Sequence, residues 1–185
     1  MQHLKAILSE IYNEEICDSI LLRFEKMSIP KGDILIDIND IVRDFYFIES
    51  GLFRSYYIDD RGEDVTFDFY MSGDVVTILD SLVNNISSEF CIEALQPSTI
   101  LKIPKQSLER LIFQYPKLEE IRFRLIVKHN EKSVARTLLH QLPTGRERLL
   151  KFFDSYPNVL YHCKNKHVAS FLRLTKESFS RLFNG

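Results

Sequence analysis

Twice along this chain the spacing of apolar residues changes period, and no other feature limits the possible folds as tightly. Leu4, Ile7, Leu8, Ile11, Ile16, Ile20, Leu21 and Phe24 recur at three- and four-residue intervals. That spacing lines one face of a helix, so residues 1 to about 28 are expected to be helical. From Ile29 to about Lys102 short apolar runs replace it: Ile34–Ile38, Phe45–Ile48, Leu52–Ile58, Val65–Tyr70, Glu89–Leu95 and Thr99–Ile103. Turn sequences such as Glu49-Ser-Gly51, Asp59-Asp-Arg-Gly62, Ser72-Gly-Asp74 and Gln96-Pro97 punctuate them. Short strands at regular intervals predict an antiparallel barrel or jelly roll rather than a parallel sheet. The 14 Phe and 8 Tyr suit the interiors of such strands better than a cofactor site.

After Pro104 the helical period returns. Lys105 to Gln114 reads as a short helix closed before Pro116. Leu118 to Gln141 contains neither Gly nor Pro and predicts one helix of roughly six to seven turns. Leu118, Ile121, Leu125, Lys128, Lys132, Ala135 and Leu139 approximate a heptad seam along it. A helix this long cannot bury its apolar stripe on a small barrel alone, so a homodimer through residues 116–141 is expected, with packing inside the chain as the alternative. Leu142-Pro-Thr-Gly145 breaks the helix, and Arg146 to about Tyr156 resumes it.

The last segment carries the most specific pattern. Asn165 to Arg181 reads as two short helices joined by a tight turn. The first covers about Lys166 to Leu172, with Val168, Ala169 and Leu172 at helical spacing. The second opens at Thr175, a good N-cap, and presents Lys176, Glu177, Ser178 and Arg181 outward while Phe179 and Leu182 face inward. Small Ala169 lets the helices approach closely, as a helix-turn-helix requires. The second helix of such a unit can enter the major groove of double-stranded DNA. Charge agrees with that use. Residues 142–185 hold eight Lys or Arg against three Asp or Glu, a net of +5; residues 1–141 hold 16 against 23, a net of −7. A basic module on an acidic body suits phosphate backbones at one end only.

Other chemistry finds little support. Cys17, Cys91 and Cys163 are odd in number and far apart, which suggests neither a disulfide framework nor a metal cluster. The five histidines include no His-Glu-x-x-His, and His162 and His167 flank the helix-turn-helix, where phosphate or surface roles are expected. Glycines are scattered, with no phosphate-cradling loop and no Gly-x-Ser-x-Gly. No enzymatic activity is expected. Neither a long apolar run nor a signal pattern is visible, so a cytoplasmic protein without a membrane partner is the expectation.

The order of barrel, long helix and helix-turn-helix resembles the bacterial CRP/FNR family of transcription regulators over nearly the whole chain. The C-terminal part is similar to the pattern common in Bacteroidetes members. There a segment such as R-x-L-K-F-x-x-x-Y-P-x-L precedes I-A-S-Y-L-G-I-T-x-E-x-x-S-R. Here the two read Arg148-Leu-Leu-Lys-Phe-Phe-Asp-Ser-Tyr-Pro157 and Val168-Ala-Ser-Phe-Leu-Arg-Leu-Thr-Lys-Glu-Ser-Phe-Ser-Arg181. The resemblance implies an α+β fold: an antiparallel jelly-roll sensor barrel (residues 1–115), a long dimerisation helix (116–141) and a helix-turn-helix domain (142–185). It also implies that Lys176, Glu177 and Arg181 reach base edges and nearby phosphates. With Lys166, Thr175 and Ser178 they form the expected DNA-binding set, and RNA polymerase is a further expected partner. Arg can take guanine O6 and N7 together, and Glu can accept from the cytosine amino group. Two departures temper this. Arg173 stands where the family has Gly at the turn, and the sequence stops at Gly185 without a winged hairpin. Both predict limited DNA affinity, and the rival expectation is a sensor or protein-interaction module that has lost specific DNA binding.

In cyclic-nucleotide-binding members a loop like G-E-L followed by R-S/T-A holds the ligand. Gly73-Asp74-Val75 resembles the first half loosely. The second half, Asn84 to Cys91, holds Ser87 and Ser88 but no Arg or Lys, and Glu89 adds negative charge. Burying a phosphate without a cation is costly, which disfavours cyclic AMP and cyclic GMP. The expected effector pocket is therefore Gly73, Asp74, Val75, Ser87 and Ser88, with an unknown small effector or none, and no cofactor.

Overall fold

A computed structural model of the chain describes residues 1–184; Gly185, where the expected early stop falls, lies outside the described residues. Two short helices, α1 (Gln2–Ser9) and α2 (Glu14–Leu21), replace the single helical segment expected at the start. The break is local chemistry: Asn13 caps α2, its side chain accepting the Ile16 N–H at 3.0 Å, and Glu14 and Glu15 occupy the first turn, where a helix N-terminus favours carboxylates. The chain then turns earlier than expected into β1 (Glu25–Ile29).

Seven further strands follow: β2 (Ile34–Ile36), β3 (Asp44–Ser50), β4 (Leu52–Ile58), β5 (Asp64–Met71), β6 (Val75–Val76), β7 (Cys91–Ala94) and β8 (Ser98–Pro104). They pair antiparallel in two four-stranded sheets, ordered β1-β8-β3-β6 and β2-β7-β4-β5, as a double-sheet jelly roll. Two-residue β6 and the short helix α3 (Leu79–Asn84) are not legible in the apolar pattern. Gly51, at the β3–β4 turn, has φ +124, and a Cβ there would lie 2.0 Å from Ser98 Oγ, so only glycine fits.

Strand alternation divides the apolar side chains among three cores. Ile48, Phe53, Tyr70 and Ile100 point between the sheets and fill the jelly roll with Val76 and Ile92. Their neighbours Phe47 and Leu101 point out of the first sheet onto α1 and α2 and onto two helices after the barrel, α4 (Lys105–Gln114) and α5 (Leu118–Gln141). Leu52 and Phe69 point out of the second sheet into a core made by the C-terminal helices: α6 (Gly145–Ser155), α7 (Val159–His162), α8 (Asn165–Phe171) and α9 (Lys176–Asn184). At the start of α6, Thr144 and Glu147 form a reciprocal capping box.

The long helix has the expected bounds, and most of its seam is engaged within the chain. Leu118, Ile121 and Leu125 pack on the first sheet and N-terminal helices. Lys128 and Lys132 bind Asp74 at 2.9 and 3.0 Å, Leu139 enters the C-terminal core, and Ala135 is exposed. The outer face of the first sheet takes this apolar stripe of the helix. A different stripe is left open: Phe123, Val127, Val134 and Leu138 are 64%, 38%, 50% and 58% exposed.

Phe69 joins barrel and C-terminal helices, its ring 5.9 Å from Phe152, 5.7 Å from Tyr156 and 5.2 Å from Phe171. Phe69→Ala is expected to cost about 3–5 kcal/mol in urea unfolding. A loss under about 1 kcal/mol would show that the two parts are not packed on each other through this ring.

Candidate nucleic-acid interface

The second helix of the C-terminal pair is built as a reading surface. Thr175 caps α9, its hydroxyl accepting the Ser178 N–H at 3.1 Å. Phe179 is buried in the core of the C-terminal helices α6–α9, the head, and Leu182 partly so, which turns Lys176, Glu177 and Arg181 to solvent, with Ser178 half-buried. Hydrogen bonds at the helix N-terminus and from Thr175 hold the Glu177 carboxyl below its ordinary value, so it is a pure acceptor at neutral pH. The turn before α9 carries Arg173 at φ +55, in the left-handed region where the family pattern has Gly. Nothing covers the Arg173 side chain, which is exposed. Buried Ala169 provides the close approach, and its carbonyl accepts the Leu174 N–H at 2.9 Å.

Arg148, quoted in the family pattern without a role, holds this turn in place. Its Nε donates to the Leu172 carbonyl at 2.9 Å and its Nη1 to the Leu142 carbonyl at 2.9 Å. One guanidinium thus satisfies carbonyls at the C-terminal ends of α5 and α8. A sequence signal exists only in retrospect, in the Thr144…Glu147 capping box that sets the phase of α6.

The first helix of the pair faces the barrel. Lys166, expected to contact DNA, reaches Asp64 on β5 at 3.5 Å while keeping 44% side-chain exposure. Its neighbour His167 is not at the surface as expected: it is buried, with Nδ1 3.5 Å from Asp64 and no hydrogen-bond partner for that atom among the described residues. Ser170 Oγ accepts the Thr66 N–H at 3.0 Å. Asp64 also receives Arg54 Nη2 at 3.1 Å, and Arg54, itself buried, donates to Glu93 at 2.8 Å and to Thr66. Burial would raise the Asp64 carboxyl, but Arg54, with His167 and Lys166, holds it below its ordinary value. Burial, aided by the charge of Arg54, pushes His167 down to about 4. These residues went unread because strand β5 looks apolar in sequence and its polar positions gain meaning only under α8.

Close by, Asp68 accepts Arg136 Nη1 from α5 at 2.6 Å and the Tyr156 hydroxyl from the residue after α6 at 2.9 Å. A buried carboxylate therefore ties the long helix, the barrel and the head to one point.

The expected effector pocket is not brought together. Both carboxylate oxygens of Asp74 are taken by Lys128 and Lys132, and one also accepts the Met71 N–H at 3.0 Å. Gly73 is bound through its carbonyl to Lys128 at 3.0 Å. Ser88 is buried with its hydroxyl on the Phe90 carbonyl at 2.7 Å, Ser87 is exposed, and Val75 borders a cavity outside the jelly roll. The physical reason is charge: two lysines on α5 neutralise the aspartate from within the chain. Among the described residues no group of three His, Cys, Asp or Glu side chains is placed to hold a metal ion.

An antiparallel jelly roll, a long helix and a basic pair of C-terminal helices define a two-part architecture. Residues 26–115 match the cyclic nucleotide-binding domain family. The fumarate and nitrate reduction regulatory protein of Vibrio cholerae is 31% identical over 135 residues, which are 73% of this chain and 52% of that protein. Its counterpart in Yersinia pestis is 29% identical over 176 residues, 89% of this chain and 69% of that one. The chain therefore spans about half the length of the Vibrio relative. Among solved structures, FixK2 from Bradyrhizobium japonicum shares the fold, with a TM-score of 0.72 at 18% identity over 87% of this chain and 83% of that chain. The chain thus carries a stretch of the cyclic nucleotide-binding domain family and is similar to regulatory proteins of the CRP/FNR type over most of its length.

His167 gives the α8–β5 contact a pH signature. Its folded value lies below the unfolded value near 6.5, so the stability it contributes is present above that pH and is lost as pH falls toward about 4. The wild type is expected to lose melting temperature over this window more steeply than His167→Gln. Parallel curves for the two would show that His167 binds no proton on unfolding.

Proposed function

We propose that the chain is a DNA-binding transcription regulator that acts as a homodimer. The observation that carries the reading is the outward presentation of Lys176, Glu177 and Arg181 on a capped second helix whose other face is anchored by Phe179. Arg181 is suited to guanine, Glu177 to cytosine and Lys176 to phosphate. Arg173 adds a cation at the turn, and Lys166 can reach a phosphate by exchanging its exposed contact with Asp64.

Pairing is supported by the open stripe Phe123–Val127–Val134–Leu138 on α5, whose four-, seven- and four-residue steps suit a second copy of the same helix. A two-fold dimer would set its two α9 helices in successive major grooves, so a palindromic site with half-sites about one helical turn apart is expected. RNA polymerase is the natural further partner of such a protein, and the cytoplasm its place of work; no described helix is long and apolar enough to cross a membrane. The relatives are regulatory proteins rather than enzymes. The engagement of Asp74 by two lysines argues against cyclic nucleotides as effector.

Selection from random DNA tests the reading. The wild type is expected to enrich a palindrome, and Arg181→Ala to lose discrimination at one position per half-site at a cost of about 1–3 kcal/mol each. Weak, unselective binding by both proteins would overturn it in favour of a module that no longer reads DNA. For the dimer, Val134→Glu is expected to lower the mass in sedimentation equilibrium to that of one chain. An unchanged mass would move the interface off this stripe.

A further inference from the structure

Outside the jelly roll, between the first sheet and the helices that cover it, lies a cavity of about 250 Å³. Its walls come from α1, α2, α3, α4, α5 and the outward face of β3, β6 and β8, so it is a deep cleft open to solvent on one side. Leu8, Ile20, Phe47, Ile103, Leu111 and Ile121 form its floor and are almost completely buried. Leu79, Val83 and Ile126, 41%, 63% and 49% exposed, flank its mouth.

Its apolar floor is larger than the gaps packed interiors leave between side chains. Hydrocarbon-lined cavities of about 150 Å³ stay dry and admit benzene. The polar side chains at the wall are mostly occupied. The Thr77 hydroxyl donates to the Asp44 carbonyl at 3.2 Å, Lys105 to the Leu82 carbonyl at 3.4 Å, and Arg122 pairs with Glu119. Glu109 is exposed at the rim. His129, half-buried, has its pKa lowered chiefly by burial and offers a neutral ring at pH 7. An occupant therefore meets carbon on nearly every side, with one imidazole and the Lys105 ammonium, held by a carbonyl, at the wall. A second copy of the chain has a different place to sit: Phe123, Val127, Val134 and Leu138 of the open stripe border none of this space.

We propose that this cavity is a binding site for a small, uncharged, carbon-rich molecule, of the size of a single aromatic ring or a medium-length aliphatic chain. Occupancy stands on the cavity alone; its regulatory meaning rests on the reading of the chain as a dimeric regulator. Leu118, Ile121, Leu125, Ile126 and His129 of α5 line the wall, so an occupant touches the helix that carries the dimer stripe on its other side. A ligand that prefers one placement of α5 shifts the spacing of the two heads by that preference and no more.

Methyl NMR on the full chain, without DNA, tests the site with 1-octanol as probe and 1,6-hexanediol as polar control. Octanol is expected to shift the methyls of Ile20, Ile103 and Ile121 while Ile92 and Ile100, inside the jelly roll, stay in place. Leu108→Trp and Leu125→Trp, which fill the cavity, are expected to weaken octanol binding by about tenfold or more. Leu125→Phe keeps the comparison available where a tryptophan prevents folding. The proposal is overturned by absent shifts, by shifts at Ile92 and Ile100 instead, by equal binding of the diol, or by unchanged affinity in the filled variants. Octanol affinity that falls as protein concentration rises also overturns it, since a second copy would then be the occupant. Failure of DNA selection leaves all these readouts intact, so the two readings fail separately.

Discussion

The arrangement of this protein depends on one strand, β5, and on two adjacent residues within it. Asp68 is a buried carboxylate that accepts Arg136 from the long helix and Tyr156 from the head. Phe69, next in sequence and on the opposite side of the pleat, supplies the ring around which Phe152, Tyr156 and Phe171 pack. A buried charge is tolerated only when its partners are in place. Barrel, long helix and head are thus obliged to assemble together, because moving any one of them strands either the carboxylate or the guanidinium.

That obligation explains which surfaces remain open. With α8 spent on the barrel, through the Asp64 cluster and Ser170, α9 is the helix left facing water. Similarly, α5 gives its best apolar stripe and two lysines to the barrel, so a second stripe on the same helix is what a partner can meet. Lys128 and Lys132 of the same helix are used to neutralise Asp74. The unfilled space lies on the other side of the first sheet, where the lining is carbon.

Much of the fold was legible in sequence because periodicity reports which face of an element is apolar. The bounds of α4 and α5 and of strand β4 follow from it directly, and the capped second helix of the C-terminal pair follows from Thr175 and the spacing of Phe179 and Leu182. Elements with two or three pairing residues escaped, such as β6, since so short a segment has no period to detect. The N-terminal break escaped because Asn13 as a cap competes with an apolar spacing that runs straight through it. Among site residues, Lys176, Glu177 and Arg181 stand exposed as expected, whereas Lys166 and His167 turn toward Asp64, a partner 102 residues away from Lys166 in the chain.

The class of fold, the place of the long helix and the outward face of α9 follow from the order of residues, because each depends on local spacing, caps and side-chain type. Only the tertiary structure decided what each polar group is paired with. It set Asp74 against two lysines, buried His167 under β5, gave Asp68 to two distant elements, and turned Leu118, Ile121 and Leu139 of the α5 seam inward. Those outcomes rest on competition between surfaces brought together by folding, and a one-dimensional pattern names the competitors without ranking them.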